Sequence, residues 1–182
     1  MLSDMIDHSL TDKDTTHSYL SVYEELLQPK KYSAKNVLEV GIFNGGSIQL
    51  WKDYFPNAII YGIDIENGER VCLPHLFSDT RVVLYTDTDA YVSDTISQYF
   101  SEVSFDIIID DGSHRLEHMK AFITLYIPLL SKDGIMIIED IQYIGWINEL
   151  QSCVPDTMSF EFYDRRNIKD RYDDVLVVIR HK

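Results

Sequence analysis

The sequence predicts an α/β fold: a mostly parallel sheet with helices on both faces, finished by an antiparallel C-terminal hairpin strand. Short, β-branched apolar runs alternate with amphipathic helical stretches from residue 36 onward, the pattern of strand–helix–strand units with right-handed crossovers. The runs are nearly continuous in apolar character, as expected of parallel strands buried on both faces. The last two runs abandon the alternation, because the link between them is too short for a crossover helix.

The elements follow in order. "NVLEVG" (36–41) and "AIIYGIDI" (58–65) read as the first two strands. "RVVLYT" (81–86), "FDIIID" (105–110) and "GIMIIED" (134–140) read as the third to fifth. "GSIQLWKDYF" is the helix after the first strand. "DAYVSDTISQYF" is a later one, with Asp89 as its expected N-cap and Val92, Ile96, Tyr99 and Phe100 on one face. "HRLEHMKAFITLYIPLL" places Leu116, Met119, Ile123, Tyr126 and Leu130 along one stripe, with Pro128 ending or bending it. "MSFEFYD" (158–164) and "DVLVVIRHK" (174–182) form the closing antiparallel pair.

A chain of 182 residues supports one full core and not two. The expectation is a single domain over 1–182, with 1–35 a helical cap segment and 36–182 the core. With 45% hydrophobic residues the chain is globular rather than disordered. A net charge of −14 repels phosphate backbones and anionic lipid heads, so neither nucleic acid nor a membrane surface is expected as a partner. No apolar run approaches the ~20 residues of a membrane helix, and the polar, acidic start "MLSDMIDHSLTDKDTTH" resembles no secretory or transit signal. The expected compartment is the cytoplasm. Cys72 and Cys153 share no ligand spacing and read as idle thiols.

The loop "GIFNGGS" after the first strand carries its glycines as G-x-x-x-G-G, with Glu39 inside the strand itself. Glycines let a backbone approach a ligand at the carboxyl end of such a sheet. A dinucleotide requires the following helix N-terminus for its pyrophosphate, beside which Glu39 would sit badly. S-adenosylmethionine has no phosphate and bears a sulfonium and an amino group, which an acid suits. Asp64, about twenty residues on at the end of the second strand, occupies the place of an acid that accepts both ribose hydroxyls; NAD enzymes use the same device. The densest cluster is "FDIIIDDGSH" with "IIED". If their strands are neighbours, about 5 Å apart, Asp111, Glu139 and Asp140 converge on an all-oxygen site that favours Mg²⁺ or Mn²⁺ over Zn²⁺. His114 would take a proton from a hydroxyl held there. The competing reading is that these acids cap helices and sit at strand ends. His8, His17, His75, His118 and His181 lack such company and read as surface or structural.

In "TDKDTTHSYLSVYEELL" (11–27), "LEVGIFNGGSIQLWKDYFPNAIIYGIDI" (38–65), "FDIIIDDGSH" (105–114) and "LLSKDGIMIIEDI" (129–141) the chain resembles the Mg²⁺-dependent macrolide and sugar O-methyltransferases of the mycinamicin and macrocin type. The resemblance implies a Rossmann-like class I methyltransferase sheet, S-adenosylmethionine and Mg²⁺ (or Mn²⁺) as cofactors, and a sugar or other small-molecule acceptor. It makes Asp111, Glu139 and Asp140 the metal ligands, with His114 the general base and Asp111 beside it in the catalytic group. Glu39, Gly41, Gly45, Ser47, Asp64 and Asp110 would surround the methyl donor, Asp87 would lie on the adenine side, and Lys13 would close over the cofactor. It also suggests a homo-oligomer. The macrolide enzymes carry an additional N-terminal domain outside the matched pieces, so their acceptor pocket does not carry over. "QYIGWINELQSC" and the basic link, with Arg165, Arg166, Lys169 and Arg171, match less well; that link reads either as a solvated loop or as a contact for a nucleotide-sugar diphosphate.

Three rivals stay open. A catechol or another small vicinal diol could be the acceptor. An NAD-dependent sugar-modifying enzyme would need a catalytic Tyr-x-x-x-Lys pair, which the sequence does not convincingly offer. A non-catalytic S-adenosylmethionine-binding partner protein would have no use for His114 beside three acids.

Overall fold

The alternation of apolar runs closes into one sheet. The structure, a computed structural model, describes residues 1–71 and 73–182; Cys72 lies outside the described residues. The strands are β1 (Asn36–Val40), β2 (Ile59–Ile63), β3 (Val82–Tyr85), β4 (Phe105–Asp110), β5 (Leu130–Ile138), β6 (Met158–Asp164) and β7 (Val175–His181). Their order is β3-β2-β1-β4-β5-β7-β6. The first five run parallel, and β7 inserts antiparallel between β5 and β6. The expected hairpin is therefore present, with its second strand on the inside.

Because side chains alternate across a strand, each central strand feeds two cores. Val37, Ile107, Ile109, Ile137 and Val178 pack with Tyr23, Leu26 and Leu27 of α1 (Leu20–Leu27) and Trp51 of α2 (Gly46–Tyr54). Leu38, Ile108, Met136, Ile138 and Val177 face the other way. There they meet Phe100, just past α3 (Ser93–Tyr99), Met119, Phe122 and Tyr126 of α4 (Leu116–Tyr126), and Leu150 of α5 (Trp146–Gln151).

Two boundaries differ from expectation for physical reasons. α3 starts at Ser93 rather than after Asp89, because the Asp89 carboxylate accepts from the Tyr91 N–H at 2.9 Å and closes a local turn instead. β5 starts at Leu130, which pairs with Phe105 before the register shifts, and it ends before Glu139. Tyr126 ends α4, and Pro128 follows within a short 3₁₀ turn over Ile127–Leu129.

The chain order places the crossovers of β1–β3 on one side of β1 and those of β4–β5 on the other. Between β1 and β4, at the carboxyl ends, an open α/β sheet leaves a crevice. The site lies there.

Candidate active site

The β1 loop is shaped by what it must pass. Gly41 has φ +95°, and a Cβ there would lie 2.1 Å from the Asp111 carbonyl oxygen; only glycine lets the two strand ends come this close. Gly45, also left-handed at φ +88°, starts α2 and faces Leu76 and Val71 rather than the crevice. Asp64, just beyond β2, holds the loop by accepting from the backbone N–H groups of Ile42 (2.7 Å) and Phe43 (3.0 Å). A third N–H, from Glu66 at 2.9 Å, binds its other oxygen.

The resulting cavity has a volume of about 610 Å³, within the range of ligand clefts. Its walls include Gly41, Ser47, Asp64, Asp111, His114 and Asp140, and residues 8–12 lie across from the strand ends. Phe43, His114 and Asp140 have positive φ values of 46°, 53° and 55°. Such strained non-glycine residues cluster at functional sites, and all three line this cavity.

Adjacent, in-register strands bring the acids together. Asp110 of β4 pairs with Ile138 of β5, so Asp111 and the Glu139–Asp140 pair emerge side by side. They form two groups that share Asp111. On the cavity side, ligand atoms of Asp111, His114 and Asp140 lie within 4.8 Å of one another. His114 Nε2 is 3.3 Å from Asp111 Oδ1, and its Nδ1 is 3.5 Å from Asp140 Oδ2. On the inner side, Glu39, Asp111 and Glu139 form the second group. Lys13 Nζ sits among them at 3.3, 2.6 and 2.7 Å respectively. Ser47 donates to Glu39 at 2.6 Å, and the Tyr23 hydroxyl donates to Glu139. Tyr19, one helical turn before Tyr23 and so on the same face, donates to Asp140 at 2.5 Å.

The charges respond accordingly. Burial alone would raise the Asp111 carboxyl, yet the Lys13 ammonium and His114 beside it bring it down to about 2. Burial pushes Glu139 well up, as does the neighbouring Asp111 charge. Burial also raises Asp140. For His114, burial works against the charged ring, but the hydrogen bond to Asp111 and the Asp140 charge overcome it and raise the ring to about 9. Burial raises Asp110 to about 6, against the hydrogen bond that Tyr91 donates to it at 2.7 Å. The carboxylates of Asp111 and Asp140 on the cavity side and of Glu139 on the inner side offer the oxygen donors that suit a hard divalent cation; in this structure Glu139 also accepts from Lys13 and Tyr23.

No protein-family model matches the chain. An 8-demethyl-8-alpha-L-rhamnosyl tetracenomycin-C 2'-O-methyltransferase of Streptomyces olivaceus is 32% identical over 144 residues, covering 75% of this chain and 36% of that protein. The chain is a relative of the macrolide and sugar O-methyltransferases. A demethylmacrocin O-methyltransferase of Streptomyces fradiae is 29% identical over 153 residues, 80% of this chain and 37% of that protein. The chain thus matches little more than a third of the length of either relative. Among solved structures, a MycE methyltransferase from the mycinamycin biosynthetic pathway, in complex with Mg, SAH and mycinamycin VI, superposes with a TM-score of 0.77 at 20% identity. That match covers 99% of this chain and 53% of the other. The sheet is the Rossmann-like methyltransferase sheet.

Against this family's expected site, the structure distributes the residues unevenly. Gly41, Ser47, Asp64, Asp111, His114 and Asp140 line the cavity. Glu39, Gly45, Glu139 and Lys13 lie behind it or turn away from it; Lys13 is fully buried and meets the inner acids. Asp110 is buried behind Tyr91. Asp87 is exposed and outside the cavity, and Asp89, Ala90 and Tyr91 occupy that wall. His17, read as surface or structural, is buried, stacks on Tyr19 at 4.8 Å and lies 3.2 Å from Asp140 Oδ1. His8 and His118 both line the cavity. The four basic residues of the link all have partners within the chain. Lys169 donates to the carbonyls of Asp14 (2.5 Å) and His17 (2.8 Å), and Arg165 to Ser21 (2.8 Å). Arg166 pairs with Asp164 at 2.7 Å and Arg171 with Asp173 at 2.9 Å. Among the described residues, no helix is long and apolar enough to cross a membrane.

Proposed function

We propose that the chain carries out S-adenosylmethionine-dependent O-methylation of a sugar hydroxyl, assisted by a divalent cation. One observation carries the reading: Asp111, Asp140 and His114 open onto the same cavity as the glycine loop and Asp64. The relatives' activities on a rhamnosyl tetracenomycin and on demethylmacrocin support a sugar acceptor on a natural product. The crystallised neighbour's Mg and SAH support the cofactors.

The loop and Asp64 would hold the methyl donor near Gly41 and Ser47. Asp111, Glu139 and Asp140 would hold the cation, which supplies the positive charge that acidifies a bound hydroxyl. His114, within 3.5 Å of both carboxylates, would take the proton that hydroxyl gives up once a cation offsets the carboxylate charges that otherwise keep its ring protonated. Residues 8–12, which also line the cavity, would help exclude water and orient the acceptor. A glycosylated natural product, a glycan and a nucleotide sugar share the hydroxyl chemistry required. The work would be done in the cytoplasm.

Calorimetric titration of S-adenosylhomocysteine, with NAD⁺ as control, tests the donor. Binding of the first without the second supports the reading, and the reverse outcome sinks it. Transfer of labelled methyl from S-adenosylmethionine to a panel of rhamnosides, other glycosides, nucleotide sugars and catechol then identifies the acceptor. A response to catechol alone would overturn the sugar.

A further inference from the structure

The cavity cannot enclose everything the proposed reaction brings together. At about 610 Å³ it has the size for one drug-sized ligand, and the methyl donor takes the Asp64 end. An acceptor larger than a single sugar must therefore extend past the acids. The sheet order fixes the direction: the carboxyl ends run from Asp64 after β2, through Gly41 and Asp111, to Asp140 after β5, and the start of β7 comes next. The Ile141 N–H bonds the Val175 carbonyl at 3.3 Å, so the stretch after β5 and the one before β7 lie side by side. Two tyrosines stand exposed there, Tyr143 at 63% and Tyr172 at 61%.

Neither ring is loose. The Tyr172 hydroxyl donates to Gln142 Oε1 at 2.9 Å, and Gln142 Nε2 donates to the Asp140 carbonyl at 3.2 Å and to Asp173 at 3.3 Å. Gln142 thus ties one ring to the backbone of Asp140, and the other ring belongs to its neighbour in sequence. The Tyr143 ring lies over Gly145, where any Cβ would press into it. The polar groups beside the rings are engaged with each other. Both ends of the Gln142 amide are bonded, and Arg171, whose guanidinium lies 5.7 Å from the centre of the Tyr172 ring, pairs with Asp173 at 2.9 Å. What the patch offers outward is ring face. We propose that Tyr143 and Tyr172 form a platform for a flat, apolar aglycone, the part of the acceptor that carries the reacting sugar. A second sugar in that place would call for polar groups to meet its hydroxyls, and those of Gln142, Tyr172 and Arg171 are already engaged; an apolar ring system calls only for area and stacking. The two tyrosines are specificity-determining residues and touch no reacting atom. The inference rests on the sugar-methylation reading for the reacting hydroxyl, and on geometry for the platform.

The test is ligand-observed NMR titration of the purified full chain, with S-adenosylhomocysteine and Mg²⁺ present. The probes are two glycosides that share a sugar, methyl and 2-naphthyl α-L-rhamnopyranoside. Wild type should bind the naphthyl glycoside about tenfold or more tighter than the methyl one. Tyr143→Ala and Tyr172→Ala should each remove most of that preference, while affinity for the methyl glycoside, which does not reach the rings, stays within about twofold. Tyr172→Phe keeps the ring and loses only the hydroxyl, so its naphthyl affinity should stay within about threefold of wild type. No preference in wild type, equal losses for both glycosides in the alanine variants, or a Tyr172→Phe as weak as Tyr172→Ala would each overturn the platform. Catechol and 2,3-dihydroxynaphthalene form a second pair, without a sugar. If neither glycoside binds, but the dihydroxynaphthalene is preferred and both alanine variants lose that preference, the sugar reading fails and the platform stands. No binding of either pair beside bound S-adenosylhomocysteine would overturn both.

Discussion

His114 and Asp110 show how much individual side chains take from their surroundings. His114 is held between Asp111 and Asp140 on a left-handed backbone. If it holds the acceptor proton, His114→Ala should lower kcat about 10²–10⁴-fold, while calorimetry finds S-adenosylhomocysteine affinity within about threefold of wild type. Asp110 is buried, with its carboxyl raised from 3.8 to about 6. A carboxyl that is harder to ionise when folded adds stability at low pH and loses it as pH rises from about 4 through 6. Asp110→Asn should therefore match wild type near pH 4 and be more stable at pH 7.5, by up to about 3 kcal/mol, in urea titrations with EDTA present. A wild-type advantage at pH 7.5 would show that the Tyr91 hydrogen bond outweighs burial. At this scale the sequence was partly legible. Asp111, Asp140 and His114 are announced by their spacing at two strand ends. Lys13 is singled out only through the family resemblance, and its burial among acids is not legible, because its partners lie 98 and 126 residues away in the chain.

At the scale of elements, α1 and the link between β6 and β7 are the supports of the site. α1 presents Tyr19 and Tyr23 to Asp140 and Glu139. Tyr23→Phe leaves a buried carboxylate one donor short, and should cost about 1.5–3 kcal/mol of stability by denaturant unfolding. The link carries Lys169, whose ammonium gathers the carbonyls of Asp14, Thr15 and His17. Lys169→Met should speed hydrogen exchange of the His17 and Tyr19 amides, which bond to Asp12 and Lys13, by about tenfold or more through local opening. Unchanged protection would place the support elsewhere, with Ser18 and Asp174, 2.6 Å apart, as the next candidate. Strand identity, order of appearance and the antiparallel end were readable from apolar runs and link length. The insertion of β7 between β5 and β6 was not, since a short link specifies that two strands pair but not which of them lies inside. The true start of α3 was hidden by Asp89, whose side chain serves a turn as readily as a helix.

For the whole molecule, the cavity joins parts that are remote in sequence: residues 8–12, the β1 loop, and the ends of β2, β4 and β5. A ligand that fills it binds only the folded chain. S-adenosylhomocysteine at about 100 times its Kd should therefore raise stability by about 2.7 kcal/mol, or Tm by about 5–10 °C for a domain of this size. Differential scanning calorimetry with NAD⁺ in its place should show no such rise. The overall class was the most legible level, because near-continuous apolar strands between amphipathic helices admit few other arrangements.

The bonds from Lys169 and Asp174 back to residues 14–18 also set a timetable. On the ribosome, residues 14–18 are made long before Lys169 and Asp174, which anchor them. Until β7 inserts, Lys13 and the tyrosines have their carboxylates but no clamp to keep them there. A nascent chain halted before residue 165 should hold a partly formed sheet and an open crevice, with its wall still searching. Binding competence would then appear late and all at once, as the final strand slides into the sheet.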